Sequence, residues 1–320
     1  MTNFQHCPTA VTPSACLKKV TQPSSVSPHK AAPVLFRDAL QSVYGSLDWL
    51  PEPDGLIHRF HVPGDKQGSE NGWYVLYLDG ITSGAFGSWK AGATHTWCSR
   101  EPADPREAEQ VRQHIEQAKR QREAEQQQRQ LKAATRAQRW WRDARRADPD
   151  HPYLIAKGVR PHGLRQSGDA LLVPLYVAGE LVNLQRIATD GSKRFLAGGR
   201  IKGSYSPLGV IVPRQPLCIC EGWATGATLH QHGYAVACAM NSGNLKPVAL
   251  ALRTRYSEQP ILIAGDDDRL TVGNPGRTAA NAAAALVGGQ VAFPEWPEGA
   301  PADLTDFNDL ANWKRTHVPA

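Results

Sequence analysis

The stretch that decides the fold of this chain is residues 215–268, QPLCICEGWATGATLHQHGYAVACAMNSGNLKPVALALRTRYSEQPILIAGDDD. Short apolar runs, LCIC, AVACAM and ILIAG, alternate in it with segments of helical spacing, WATGATLHQHG and LKPVALALRTRY. A further helix, TAANAAAALVGG, and a further strand, QVAFP, follow. Because strands that alternate with helices form parallel sheets, this part of the chain is predicted to be an α/β domain.

Acidic residues stand where two of these strands end. Glu221 directly follows LCIC, and Asp266, Asp267 and Asp268 follow ILIAG. Ligands of open α/β sheets bind outside the carboxyl ends of the strands. If the two strands are neighbours, like charges converge there, and a divalent cation is the natural compensation. On an extended segment Asp266 and Asp268 point the same way, while Asp267 faces elsewhere.

The expected ion follows from the ligand type. Carboxylate oxygens favour Mg²⁺ or Mn²⁺ over zinc, and Mg²⁺ usually pairs one or two carboxylates with substrate phosphates. The pattern therefore indicates phosphoryl-transfer chemistry. Glu221 is a candidate ligand, general base or general acid.

A family resemblance rests on these motifs. Glu221-Gly222 and Asp266-x-Asp268, about 45 residues apart, resemble the Rossmann-like TOPRIM domain of DnaG-type primases, type IA and II topoisomerases and certain nucleases. EGWATGATL, NSGNL, IAGDDDRLTVGNPG and LTDFNDLA resemble more narrowly the TOPRIM DNA primases of plasmids, phages and integrative elements. Upstream, HPYLIAKGV, VPLYVAGELVNLQRI, SKRFLAGGRIKGSY and GWYVLYLDG are similar to the same proteins, so the likeness spans roughly residues 50–310.

The resemblance implies a DNA primase that makes short RNA primers on single-stranded DNA from nucleoside triphosphates, for replication of a mobile element. It implies Glu221, Asp266 and Asp268 as catalytic residues and metal ligands, with Asp306 of DFNDL as a further ligand or as a helix cap. The sequence has no GxxxxGK[ST] phosphate loop, so a replicative helicase would be a separate chain.

Two other functions stay open. One is a TOPRIM metal-dependent nuclease, against which the primase-like upstream segment argues. The other is a non-catalytic factor that binds nucleic acid or recruits a helicase, against which the crowded carboxylates argue.

Candidate substrate contacts lie upstream of the acidic residues and between them. Basic side chains that can neutralise phosphates, or that are ordinary surface charge, are Arg186, Lys193, Arg194, Arg200 and Lys202. Asn241 and Ser242 follow AVACAM, so they also end at the carboxyl edge of the sheet, where they can contact phosphate or metal-bound water.

Composition divides the chain further. Residues 1–33, rich in Ser, Thr and Pro, are predicted to be a disordered tail. A small β-rich module over 34–100 begins with an amphipathic helix, whose apolar residues at helical spacing are Val34, Leu35, Ala39, Leu40 and Val43. A helical linker at 101–147 precedes a primase-core subdomain at 148–212 and the TOPRIM domain at 213–320. The fold class is α/β, or α+β for the chain as a whole.

Zinc is not expected. The six cysteines include no CxxC pair, unlike the zinc ribbon of bacterial replicative primases. The local candidates, His58, His61, His95 and Cys98, have no standard ligand spacing. Tryptophans of the same segment, Trp49, Trp73, Trp89 and Trp97, are expected in a core rather than stacked on bases.

Bulk properties agree with a polyanionic partner without proving one. The chain has 320 residues, a net charge of +6 and a pI of about 9.0. It has no apolar run of membrane-spanning length and no signal-peptide pattern, so a cytoplasmic location away from membranes is expected.

Overall fold

A computed structural model describes residues 28–317, with side chains from residue 32. Most of the predicted tail, with Cys7 and Cys16, lies outside the described residues. Its last part is not a tail, because helix α1 already begins at Pro28 and runs to Tyr44. The chain forms two compact units, which meet between residues 122 and 123.

The first unit contains the small antiparallel sheet that its alternating sequence predicts. Its strands, in the spatial order β1-β2-β3-β4, are β1 (His58–Phe60), β2 (Gly72–Tyr77), β3 (Ser83–Ser88) and β4 (Thr94–Cys98). Aromatic side chains fill its core: Phe36, Tyr74 and Phe86 are buried together. Trp73 is 2% exposed and Trp49 stacks on Tyr74, so the core interpretation of the aromatic residues is confirmed.

Helix α1 buries only part of the predicted apolar set, Leu40 and in part Ala39, and it also buries Phe36, which that set did not include. Phe36 and Leu40 are fully buried, whereas Val34, Leu35 and Val43 are exposed. The helical period is correct, but the face is chosen by the aromatic sheet, which accepts the ring of Phe36 between Tyr74 and Phe86.

The candidate zinc ligands do not gather. His58 is in β1 and His95 in β4, at opposite edges of a four-stranded sheet. Neighbouring strands are about 4.8 Å apart, so these two strands are separated by about 14 Å. His61 instead bonds the carbonyl oxygen of Ser69 through Nδ1 at 2.8 Å, and His95 stacks on Phe86.

The predicted linker is one helix, α2 (Pro105–Asp143), which continues from the first unit into the second. Asp104 caps it by accepting hydrogen bonds from the backbone N–H groups of Arg106 and Glu107 at 2.8 and 2.9 Å. In the second unit its Ala137 and Trp140 pack on a sheet.

That sheet is antiparallel and has five strands in chain order. They are β5 (Arg145–Arg146), β6 (Arg165–Ser167), β7 (Ala170–Val177), β8 (Glu180–Ile187) and β9 (Lys193–Phe195), with α3 (Pro152–Lys157) between β5 and β6. One face, with Leu172 and Leu184, packs on α2. The other, with Val173 and Ile187, shares a core with Trp223 of the last domain.

The second sheet of this unit is the predicted parallel sheet. Its elements are β10 (Ser206–Leu208), β11 (Leu217–Cys220), α4 (Trp223–Gln231), β12 (Ala235–Cys238), α5 (Leu245–Arg255), β13 (Ile261–Ala264), α6 (Pro275–Val287), β14 (Gln290–Ala292) and α7 (Phe307–His317). The strand order is β10-β12-β11-β13-β14, and all pairs are parallel except β10 with β12. Strand β10 precedes the predicted boundary at residue 213, yet it forms the edge of this sheet.

No helix within residues 28–317 is both long enough and apolar enough to cross a membrane.

Candidate metal centre

The strands that carry the acidic residues are neighbours. Strand β11 pairs directly with β13, with Cys220 opposite Ala264. Glu221 follows the first of these residues, and Asp266 lies two positions beyond the second. Both carboxylates therefore reach the same carboxyl edge of the sheet, which is the condition on which the predicted metal site depends.

The surroundings of Asp266 disfavour the ionised form of its carboxylate. Its Oδ1 is buried and has no hydrogen-bond partner among the described residues. Burial raises the pKa of Asp266 to about 8, and the charges of Glu221, Asp306 and Asp268 add to the effect. The ionised form of Asp266 therefore lacks compensation from the protein itself.

Glu221 shares this environment. Burial is the main cause that raises the pKa of Glu221, and the charge of Asp268 raises it further. The backbone N–H of Ser242 donates to the Glu221 carboxylate, and this hydrogen bond together with the nearby charge of Lys193 opposes the increase.

Asp268 is fixed by the start of helix α6. Its Oδ2 accepts a hydrogen bond of 2.8 Å from the backbone N–H of Gly276. A Cβ at residue 276 would lie 2.6 Å from the carbonyl oxygen of Asp266 and 2.9 Å from Asp268 Oδ2. Glycine is thus required here because the turn of the GNPG segment brings the helix against the acidic loop.

Asp267 faces away from the group, as the DxD spacing predicts. Its carboxylate accepts hydrogen bonds from Arg277 Nε at 2.6 Å, Asn274 Nδ2 at 2.7 Å and Trp296 Nε1 at 3.1 Å. The Arg277 guanidinium is the main cause that lowers the pKa of Asp267 to about 2. The sequence did not predict these three partners. Of the three, Asn274 had a signal in the sequence, which is its place in the GNPG turn.

Asp306 has the helix-cap role, one of the two that the sequence left open, and its role as a metal ligand stays a prediction. Its Oδ1 accepts a hydrogen bond of 2.8 Å from the backbone N–H of Asp309 and so caps α7. Its Oδ2 accepts one of 3.0 Å from Thr225 Oγ1. Burial, followed by the charge of Asp309, raises the pKa of Asp306, and its own charge raises the pKa of Asp266. Asp306 thus borders the acidic group.

Lys193 is a basic residue that faces the carboxylates. Burial and the charge of Lys157 lower the pKa of Lys193, whereas Asp306, Asp266 and Glu221 act in the opposite direction. Its Nζ lies 5.7 Å from the ring centroid of Tyr153. The ammonium group of Lys193 therefore lies near the acidic edge, as does that of Lys157, whose Nζ is 3.2 Å from Asp309 Oδ1.

Arg186 and Arg194 lie on the other face of their sheet. They are register partners on β8 and β9, and Arg186 also pairs with Leu172, whose face packs on α2. The guanidinium carbon of Arg186 lies 5.6 Å from the ring centroid of Trp140. Alternation along the strand KRF already implies that Lys193 and Arg194 point to opposite faces.

Arg200 and Lys202 occupy a third place, a groove beside α5. The loop that carries them is tied to the sheet by Asn244, which sequence reasoning missed while it singled out Asn241 and Ser242. Asn244 Oδ1 accepts from the backbone N–H of Gly203 at 2.7 Å, and its Nδ2 donates to the carbonyl oxygens of Ser204 and Ala239 at 2.8 Å each. Asn241 and Ser242 themselves lie half-buried at the carboxyl edge.

The acidic group fits a divalent cation. Glu221, Asp266 and Asp268 would hold it, with Asp306 next to them. The unpartnered Asp266 oxygen, the raised pKa values and the hard oxygen donors all describe a site that lacks positive charge.

A second group of possible ligands lies in the first unit. Ligand atoms of Glu52, Asp54 and His58 lie within 4.8 Å of one another, and His58 Nε2 is 2.9 Å from Asp54 Oδ1. Both carboxylates are exposed, and such surface groups are common without an ion.

The acidic residues lie in a part of the chain that is similar to known proteins. Residues 216–314 match the family model described as Toprim domain. The chain is 36% identical over 273 residues to a DNA primase TraC of Escherichia coli, a match that covers 81% of this chain and 19% of the relative. A second DNA primase TraC of Escherichia coli is 38% identical over 266 residues, covering 78% of this chain and 25% of the relative. The chain thus spans about a fifth to a quarter of the length of these relatives.

Two solved structures are also similar. One contains primase domains of bacteriophage T7 gp4 with the T7 lagging-strand DNA polymerase; it is 15% identical, with a TM-score of 0.39, over 51% of this chain and 85% of that chain. The other is the Aquifex aeolicus primase, 13% identical with a TM-score of 0.37, over 87% of this chain and 81% of that chain. Residues 216–314, the part of the chain that matches the Toprim domain model, contain Glu221, Asp266 and Asp268.

Proposed function

We propose that this chain is a DNA primase, which joins ribonucleotides into short primers on a single-stranded DNA template for replication of a mobile element. The observation that carries the proposal is the acidic group at the carboxyl edge of a Toprim sheet, with its unpartnered buried oxygen on Asp266. The identity of 36–38% to DNA primase TraC over about four fifths of the chain supports the same activity.

Mg²⁺ or Mn²⁺ is the proposed ion, held by Glu221, Asp266 and Asp268 and bordered by Asp306. When bound, the ion supplies positive charge that offsets the triphosphate and the charge that develops during transfer. The preference rests on the all-oxygen donor set, because hard oxygen ligands favour these ions over zinc.

The reaction joins two nucleotides. The 3′-oxygen of one nucleotide forms a bond to the α-phosphorus of the next, and the bond from that phosphorus to the bridging oxygen breaks. Pyrophosphate leaves with the electron pair of the broken bond. The proton of the 3′-hydroxyl passes to Glu221, whose pKa is raised by burial and by the charge of Asp268, so that it accepts a proton more readily than an ordinary carboxylate.

Other residues hold the reactants. Lys193, across from the carboxylates, contacts phosphate oxygens of the incoming triphosphate. Ser242 orients Glu221 through its backbone N–H, and Asn241 at the same edge contacts the substrate phosphate. Contacts of Arg186, Arg194, Arg200 and Lys202 with nucleic acid stay predictions from the sequence.

The proposed partners of the protein are a single-stranded DNA template, nucleoside triphosphates and a replicative helicase on a separate chain. The net charge of +6 is consistent with a polyanionic template.

Product analysis tests the proposal. The protein is incubated with single-stranded DNA, labelled ribonucleotides and Mg²⁺ or Mn²⁺, and the products are sized. We expect short labelled RNA from the parent protein and none from Asp268→Asn. Metal-dependent shortening of the template would instead identify a nuclease. Template binding without any product in either protein would identify a non-catalytic factor.

A further inference from the structure

A groove runs along helix α5 on the second unit, away from the acidic residues. It encloses about 920 Å³, and its walls come from α2, from α5 and from the loop that carries Arg200 and Lys202. All of its lining residues belong to the second unit. We call it the α5 groove.

The centre of the α5 groove is aliphatic. Pro247, Leu250, Ala251 and Thr254 follow one another at helical spacing along α5, and Leu286 of α6 lies beside them. Leu250 is 50% exposed and Leu286 is 52% exposed. Two large aliphatic side chains on neighbouring helices are therefore exposed to solvent within the α5 groove.

Positive charge surrounds this centre. Arg200 and Lys202 lie on the loop at one side, and Lys246 begins the exposed face of α5, whereas Glu123 is the only acidic residue among the lining residues. The loop is held in place by the hydrogen bonds of Asn244 to Gly203 and Ser204. Cations thus stand at fixed positions around an apolar floor.

The residues that line the α5 groove favour a protein segment over single-stranded nucleic acid as its ligand. Sites for single-stranded nucleic acid combine cations with aromatic side chains on which bases stack. None of the residues that line the α5 groove is aromatic. An apolar centre with a polar, charged rim is instead the anatomy of a protein interface.

We infer that the α5 groove binds an acidic amphipathic helix of a partner protein. Apolar residues of such a helix, three or four positions apart, fill the floor between Leu250 and Leu286. Its Asp and Glu residues, on the flanks, meet Arg200, Lys202 and Lys246. This is a function beyond primer synthesis, and it does not depend on the proposed activity.

The N-terminal stretch of the chain does not supply this helix. Residues 1–27 contain no Asp or Glu, and they contain Lys18 and Lys19.

A designed peptide tests the inference. The probe is a fluorescent helix of about 18 residues, five turns long, with Leu along one face and Glu on the others. Its binding to the full chain is followed by fluorescence anisotropy at low salt. The groove variants are Leu250→Glu and Lys246→Glu. The matched control is Leu131→Glu, because Leu131 is a 68% exposed leucine of α2 outside the lining residues.

We expect saturable binding that weakens with salt, at least about tenfold weaker for each groove variant and unchanged for the control, because a buried unpaired or like charge opposes the contact. Circular dichroism verifies that each variant is folded. Equal binding to Leu250→Glu and parent, or no saturable binding, overturns the inference.

A second arm separates the two classes of occupant. Labelled oligo-dT is titrated into the same proteins. If oligo-dT displaces the peptide and also loses affinity for Leu250→Glu, the groove is a nucleic-acid path and the inference is wrong. Primer synthesis by Leu250→Glu should equal that of the parent protein, so failure of the groove and failure of the proposed activity are distinguishable.

Discussion

Asp266 and Asp267 are neighbours in sequence, yet their carboxylates lie in opposite electrostatic surroundings. The pKa of Asp266 is raised to about 8 by burial and by other acids, and that of Asp267 is lowered to about 2 by Arg277. We call the first side of this loop the site side and the second the anchor side. The anchor side holds the loop in place, because both carboxylate oxygens of Asp267 accept hydrogen bonds, from Arg277, Asn274 and Trp296.

The largest expected effect is on the site side. Asp268→Asn should lower primer synthesis on the order of 10³-fold or more, since metal charge contributes several kcal/mol to the transition state and each 1.36 kcal/mol is tenfold. The amide oxygen can still accept from Gly276, so thermal unfolding should change little. Single-turnover rates and calorimetry check both statements, and a variant with normal metal-dependent rates would remove Asp268 from the site.

Glu221→Gln should distinguish two roles of Glu221 on the site side, proton transfer and metal binding. If Glu221 mainly moves a proton, the rate of bond formation falls by about 10² to 10⁴ while metal affinity stays nearly intact. If it is mainly a ligand, metal affinity falls and excess Mn²⁺ restores part of the rate. Rates are measured at limiting and saturating metal, and parent rates at limiting metal would contradict both roles.

Asp267→Asn should have its effect on stability rather than on chemistry. The change removes the charge that pairs with Arg277 while Asn274 and Trp296 stay in place. Because the Arg277 side chain is 43% exposed, we expect a loss of only about 2–3 kcal/mol in the free energy of unfolding. Denaturant titration measures it, with Asp268→Asn as the control. Unchanged stability would show that the anchor side does not hold the loop.

A further expected effect, which requires no change in the active protein, is a dependence of stability on pH. The folded pKa of Asp266, about 8, lies above its ordinary value of 3.8. The stability that the protonated carboxyl contributes is complete below pH about 4 and is lost as pH rises toward 8. The metal-free parent should therefore lose stability relative to Asp266→Asn over this range, and Mg²⁺ should reverse the loss. Melting temperatures at several pH values, with and without Mg²⁺, measure it; a constant difference would argue against the buried charge.

Much of the second unit could be predicted because its signals are local. Runs such as LCIC and ILIAG specify strands, and the residue that follows each strand must lie at the carboxyl edge. The partners of Asp267 could not be predicted in the same way. Trp296 lies 29 residues further along the chain, and nothing between the two positions signals their contact.

Other differences have equally specific causes. The antiparallel strand β10 joins the sheet from upstream of the apparent domain boundary, because pairing with β12 covers an edge that the parallel strands leave open. Arg194 lies apart from Lys193 because successive residues of a strand point to opposite faces. The buried face of α1 depends on the ring of Phe36 finding Tyr74 and Phe86, which are distant in sequence.

The hydrogen bonds of Asn274 bear on the thermodynamics of ion binding. Its Oδ1 accepts from the backbone N–H of Asp268 at 2.9 Å, and its Nδ2 donates to Asp267 at 2.7 Å. The ligand loop is therefore preorganised: its conformational entropy is lost when the protein folds rather than when an ion arrives. An ion that enters meets a loop that is already ordered, so little ordering of the chain opposes its association.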